Sequence, residues 1–384
     1  MTWGEGLTWT PELTDEELHW QRVAEKLAAG PFARRAAEID SAGEYPWDNV
    51  ALLTEAGLTG LLLPEEYGGE GAPLSAGCAV AETIARVCAS TCTVWSSYAI
   101  GSLPLLYAGT EAQKQRYLPE VVAGRAIGFG LTERHTGSDP SNVRTSAENT
   151  ERGWALKGEK WLVGNGGSAH YYTVFARDGA KLTAFLLERD GDHLVIDDYQ
   201  DKMGLRGTTT SNLKIDCEVP ADRQVGDRGR GLALGLRTLN TGRVLAAALS
   251  CGIAEQAFAA ASRRAVTREA FGGPIIGHQG ISFRLADVAT ELSAARMMTW
   301  QAARGSGPGG PGRQLSSMAK LYASEVAHRA VDAALQVFGA EGYAKPHPVE
   351  RSYRDQRILE IFEGSSEIQR VSLGRTIAAF YQDA

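Results

Sequence analysis

The 384-residue chain has no run approaching the ~18 consecutive apolar residues of a membrane-spanning helix. That excludes membrane insertion by such a helix. There is no basic excess either: 46 Asp and Glu outnumber 39 Lys and Arg, for a formal net charge of −7. Without a broad basic face, nothing grips a nucleic acid backbone. Met1 to Gly6 lack a basic segment followed by an apolar one, so no secretory signal is predicted and a cytoplasmic location is expected. Cysteine is scarce and odd in number: Cys78, Cys88, Cys92, Cys217 and Cys251. That count argues against a disulfide framework and for thiols that pack as small hydrophobes. Cys88 and Cys92 would share one face of a helix, but no second pair or nearby His-x-x-His completes a metal site, and none is expected. Neither Gly-x-x-x-x-Gly-Lys-Ser/Thr nor Gly-x-Gly-x-x-Gly between a strand and a helix occurs. The usual phosphate-binding loops are missing.

What is present falls into three zones, giving an α+β reading with boundaries at 1–125, 126–228 and 229–384. The first zone is helical. Thr14 and Glu17 form a capping box before Leu18, Val23 and Leu27. A helix over Asn49 to Ala56 should stop at Gly57, and a small-residue helix is predicted from Cys78 to Ala89. In the second zone the period shortens to that of strands: Trp154 to Lys157, Tyr171 to Phe175, Leu182 to Leu187 and Leu213 to Val219. Gly, Asp and Asn separate them, as in a small antiparallel sheet. The helical period then returns and runs to the end, broken only at the flexible Gly305 to Gly312.

Two segments carry chemistry. In Phe129 to Asp139, a Gly137-Ser138-Asp139 turn offers free amides and a hydroxyl to an anion, although the same tripeptide is also an ordinary turn. In the second, Glu363 stands beside apolar Ile361 and Phe362, with Gly364 permitting a tight entry into a helix capped by Ser365 or Ser366. A carboxylate flanked by apolar groups has a raised pKa and suits a general base; a surface glutamate at a helix N-terminus is the other reading.

Taken together, these residues resemble the acyl-CoA dehydrogenase family over nearly the whole chain, from Trp20 to Ile377. The likeness rests on five ordered motifs: Leu131-Thr132-Glu133-x-x-x-Gly137-Ser138-Asp139; Asp201 to Thr208; Arg268-x-x-Phe271-Gly272-x-x-Ile275-x-x-x-Gln279; Gln336-x-x-Gly339; and Glu363 to Gln369. The resemblance implies a helical domain, a middle β domain and a C-terminal four-helix bundle. It also implies FAD, an acyl-CoA substrate, an electron-transfer flavoprotein as acceptor, and a homotetramer or dimer.

By the same resemblance, Leu131 and Thr132, following Phe129, would hold the flavin pyrimidine, and Gly137 and Ser138 would face the acyl carrier or the cofactor phosphates. Arg268, Phe271, Gln279 and Gln336, with Gly339, would reach the FAD of a neighbouring subunit. Ser365 and Glu367 match positions that contact the adenosine half of FAD. Arg243 matches an arginine near the active-site loop, and Glu363 matches the catalytic base. Some relatives carry the base just before that arginine; here the position is Gly242, which cannot serve.

The chain departs from the family at Leu162, where an aromatic usually shields the flavin, and at Gly164, where a threonine usually bonds its reactive edge. Two further readings stand beside the leading one. The first is an enzyme acting on an acyl or hydroxyacyl group held by an acyl carrier protein in polyketide extender assembly. The second is a flavin-free interaction protein on the same fold.

Overall fold

The structure, a computed structural model, describes residues 7–199, 201–307 and 310–382, with the backbone alone at 198 and 199. The N-terminal reading over Met1 to Gly6 and the Pro308-Gly309 centre of the glycine-rich loop lie outside the described residues.

Six helices come first: α1 (Asp15–Leu27), α2 (Ala33–Ala42), α3 (Trp47–Glu55), α4 (Leu74–Ala85), α5 (Ala89–Ala108) and α6 (Glu111–Val122). The α1 capping box forms as its spacing predicts: the Glu17 amide donates to Thr14 Oγ1 at 3.2 Å and the Thr14 amide to Glu17 Oε2 at 3.0 Å. After α3 the chain turns at Gly57, whose φ of 75° is costly for a residue with a side chain. The helix expected to reach Ala89 ends at Ala85 instead, and Cys88, in extended conformation, opens α5. Cys88 and Cys92 therefore do not share the face of one continuous helix. Their burial, with that of Cys78 and Cys251, fits packing; Cys217 is half-buried.

Eight strands follow: β1 (Ile127–Gly130), β2 (Ser146–Thr150), β3 (Gly153–Gly164), β4 (Tyr171–Asp178), β5 (Lys181–Glu188), β6 (Val195–Tyr199), β7 (Thr210–Pro220) and β8 (Gln224–Val225). Their order is β6-β7-β3-β2-β4-β5-β8, with β1 added alongside β4. The sheet is not wholly antiparallel as expected, because β1 and β2 both meet β4 in parallel. Tyr172, Val174, Phe175, Phe185 and Leu187 are buried in its core. The β3–β7 register shifts between Lys160 and Val163, and Leu162 takes a φ of 56° at that irregularity.

The last zone holds α7 (Gly231–Thr267), α8 (Gln279–Arg304), α9 (Arg313–Phe338), α10 (Ala340–Tyr343), α11 (Pro348–Gln356) and α12 (Ser366–Gln382). Helices α7, α8 and α9 pack on one another and α12 lies along α9. A hairpin of β9 (Glu269–Ala270) and β10 (Gly273–Pro274) interrupts this zone between α7 and α8, a break the periodicity did not reveal. Helix α7 is long and apolar enough to cross a membrane by composition, yet 83% of its apolar window is buried inside the fold. It is the central helix of the bundle. Arg296 of α8 binds Glu82 of α4 at 2.6 Å and Glu255 of α7 at 2.9 Å, so a buried charge ties three helices together through its partners.

Candidate active site

The turn into α12 holds two successive left-handed residues, Glu363 at φ 54° and Gly364 at φ 87°. Glycine accepts this freely, whereas glutamate is strained and must be held by its surroundings. Both carbonyls are gripped. Arg243 Nε of α7 and Gln369 Nε2 of α12 donate to the Glu363 oxygen at 3.3 and 3.1 Å. Lys320 Nζ of α9 and the same Gln369 amide donate to the Gly364 oxygen, each at 2.8 Å. Ser365 rather than Ser366 caps the helix, accepting from the Ile368 amide at 3.4 Å.

The Glu363 carboxylate lies against Gly242 of α7, where a Cβ would come within 2.4 Å of Oε2. The bare backbone at 242 thus makes room for the acid. Oε2 is buried and has no hydrogen-bond partner among the described residues. Burial raises the carboxyl to about 7, against the opposing pull of Arg243 and Lys320. Burial likewise lowers Lys320 to about 8, and lowers the Arg243 guanidinium from its ordinary value. The surface-glutamate reading is displaced by an acid poised near neutrality.

Helix α5 connects this acid to the sheet. Ile100 Cδ1 stands 3.4 Å from a Cβ built at Gly242, and Ser97 Oγ stands 3.4 Å from a Cβ built at Gly164. Ser97 and Ile100 are one turn apart on α5, about 5 Å. The end of β3 and the Gly242 position beside the carboxylate therefore lie against α5 within one helical turn of each other. At the sheet end, the Trp161 amide donates to the Thr132 carbonyl at 2.8 Å, fixing the Leu131-Thr132 loop against β3. Leu131 is buried toward Gly235 of α7, and Phe129 meets Phe175 edge to face at 5.1 Å. Glu133 is spent on structure: it pairs with buried Lys160 at 2.7 Å and accepts from the Arg144 and Thr145 amides. Burial alone would raise Glu133, but Lys160 and those donors hold it below the usual carboxylate range. Gly137 and Ser138 are exposed, and a Cβ on Gly137 would meet nothing closer than Thr132 Cγ2 at 3.9 Å.

Leu162 is 42% exposed, pushed outward by the strand irregularity, while Trp161 keeps an aromatic beside the Thr132 loop with Arg134 over its ring. Ser365 and exposed Glu367 sit beside the base at the start of α12. The remaining candidates lie elsewhere. Arg268 is about 37 Å along α7 from Arg243, and Gln336 about 24 Å along α9 from Lys320, at roughly 1.5 Å per residue. Phe271, 96% exposed, tips the β9–β10 hairpin; Gln279 opens α8 and Gly339 ends α9. Arg268 and Gln336 thus stand far along their helices from Arg243 and Lys320, the residues that grip the Glu363 turn.

Sequence reasoning missed Lys320, Ser97, Ile100 and the carbonyl grip of Gln369. The one available signal was Lys320 itself, a lone charge on a face otherwise made of Ser316, Ser317, Ala319, Ala323 and Ser324.

An acid raised to about 7, set one turn of α5 from the end of β3, can take a proton but cannot take electrons. Among the described residues no His, Cys, Asp and Glu cluster could hold a metal. The order of helices, sheet and helices, with this acid beside it, suits an enzyme whose electron chemistry comes from an organic redox cofactor. Domain profiles described as acyl-CoA dehydrogenase N-terminal, middle and C-terminal domain match residues 14–125, 128–217 and 229–378. A protein named probable acyl-CoA dehydrogenase YngJ from Bacillus subtilis is 37% identical over 95% of this chain and 99% of its own. The butyryl-CoA dehydrogenase structure from Megasphaera elsdenii superposes with a TM-score of 0.92 at 34% identity, covering 96% of this chain and 100% of that one. An acyl-CoA dehydrogenase complexed with FAD from Bacillus anthracis gives 0.89 at 27% identity, covering 98% and 69%. The chain belongs to the acyl-CoA dehydrogenase family of oxidoreductases, and its cofactor is FAD. Two local features suit that group: bare backbone at Gly164, where a Cβ would meet only Ser97 Oγ at 3.4 Å, and an unpartnered carboxylate oxygen against Gly242.

Proposed function

We propose that this protein removes the α proton and β hydride of an acyl-coenzyme A thioester, with Glu363 as the base. The observation that carries this reading is the buried, unpartnered Glu363 Oε2 against Gly242. The α proton of a thioester is weakly acidic, so its carbonyl must be polarised as the proton leaves. The Glu363 backbone amide is the group for that task, and Glu363 Oε2 takes the proton. Arg243 is a positioning residue: it holds the Glu363 carbonyl and opposes the rise of the carboxyl's pKa. Bound FAD supplies the two-electron acceptor for the β hydride. Leu131 and Thr132 orient the flavin at the sheet end, with Phe129 packed beneath them and Gly164 and Leu162 on the neighbouring strand. Gly137 and Ser138 lie at the exposed rim of the cleft.

The distances along α7 and α9 support a shared cofactor site. Arg268, Phe271, Gln279, Gln336 and Gly339 serve the FAD of a second copy, so the enzyme is a dimer at least; the family resemblance points further, to a homotetramer built from two dimers. Its electron acceptor is an electron-transfer flavoprotein, and its setting is the cytoplasm.

Glu363→Gln tests the base. It keeps shape and hydrogen bonding but cannot accept the proton, so anaerobic flavin bleaching should slow by roughly 10²–10⁴-fold while substrate still binds. Near-native bleaching by a folded, FAD-loaded variant would sink the assignment. A panel of acyl-coenzyme A and acyl-carrier-protein thioesters, run on the native protein, decides the carrier.

A further inference from the structure

Lys320 is fully buried on α9, and its ammonium's one hydrogen bond among the described residues is to the Gly364 carbonyl at 2.8 Å. No carboxylate pairs with it within 4.0 Å among those residues. For stability alone this is a poor arrangement. A buried ammonium without a contacting anion costs several kcal/mol by general estimates, and an apolar side chain of similar volume would fit the bundle better. The charge therefore needs another reason to be there, and the nearest chemistry is the turn that presents Glu363.

We propose that Lys320 is a positioning residue for proton abstraction: its ammonium fixes the Gly364 carbonyl and, with Arg243, supplies the cationic field in which the Glu363 carboxylate ionises. This inference rests on Glu363 being the base. The groups around the carboxylate are few. Helix α7 contributes Arg243, with Asn240 on its guanidinium at 2.9 Å. Helix α9 contributes Lys320, and Arg313 acts through Arg243. The acids nearest Lys320 besides Glu363 are Glu360, held by His328 at 2.7 Å, and exposed Glu367. Helix α5 presents the uncharged Ile100. Two cations thus act directly on one buried acid, and each also grips one of the two carbonyls of its turn. With the carboxyl near 7 and the lysine near 8, both are charged together just above neutrality.

The test is the pH profile of anaerobic flavin bleaching, using whichever acyl-coenzyme A in a butyryl-to-palmitoyl series bleaches the native enzyme fastest. Lys320→Met removes charge and donor. Lys320→Gln removes the charge while leaving a donor for Gly364, and stands in should the methionine variant fail to fold. Both are compared with native at full FAD occupancy. Loss of the cation should move the ascending limb up by about one pH unit, and Lys320→Met, which also loses the donor to Gly364, should reach a lower high-pH plateau than Lys320→Gln. Lys320→Arg should leave the limb in place. An unmoved limb in the neutral variants, or an equal loss of rate at every pH, would overturn the proposal. If Glu363→Gln bleaches normally, the base assignment has failed; if it is slow while the Lys320 limb stays put, only the role of Lys320 has.

Discussion

Replacing Glu363 with glutamine should change the pH dependence of stability as well as the rate. The folded protein holds this carboxyl at about 7 against an ordinary 4.5, chiefly by burial. At about 1.36 kcal/mol per pH unit, the full displacement amounts to no more than about 3.4 kcal/mol. Its sign follows from proton counting. Between 4.5 and 7 the folded state keeps the proton that the unfolded state has lost, so the native protein loses stability as pH rises through this window. Below 4.5 both states are protonated and the favourable contribution is complete; above 7 it is gone. Glu363→Gln has no such group. Plotted against pH, the unfolding free energy of native protein minus that of the variant should fall by up to about 3 kcal/mol from pH 4.5 to 7.5, then level. Denaturant melts of both proteins at saturating FAD, taken at half-unit pH steps in one buffer series, measure this. A difference flat to within about 0.5 kcal/mol would mean that Glu363 titrates as an ordinary carboxylate. The picture of a buried acid poised near neutrality would then be refuted, whatever the variant's rate.

Two further outcomes follow from the geometry. Gly242→Ala puts a methyl 2.4 Å from Glu363 Oε2, so the carboxylate must move, and flavin bleaching should slow by about 10²-fold with FAD content unchanged. A native rate in stopped flow would show that the acid does not occupy this space. Arg268→Ala should weaken FAD binding about 10- to 100-fold, the loss expected for a charged hydrogen bond, as read by equilibrium dialysis against FAD. Native protein that sizes as a monomer while holding full FAD would disprove the shared site.

Local pattern determined much of this protein. The Thr14–Glu17 box, the stop at Gly57, four of the strands and the order of helices, sheet and helices depend on contacts close in sequence, and residues three or four apart encode them. The proposed base was legible for a related reason: Glu363, its apolar neighbours and the glycine turn occupy one short segment. Other features depend on contacts that the sequence does not display. The pairing of β1 and β2 with β4 in parallel is a choice of neighbour among strands far apart in the chain. The hairpin at Glu269 to Pro274 lies within a helical composition and shows only as geometry. Most of all, tertiary structure decided the protonation chemistry. Burial lifts the Glu363 carboxyl to about 7 in the room left by Gly242, more than a hundred residues away, while Arg243 and Lys320, arriving from two different helices, pull against that rise. A pKa reflects distances and desolvation, and those exist only once the chain has packed.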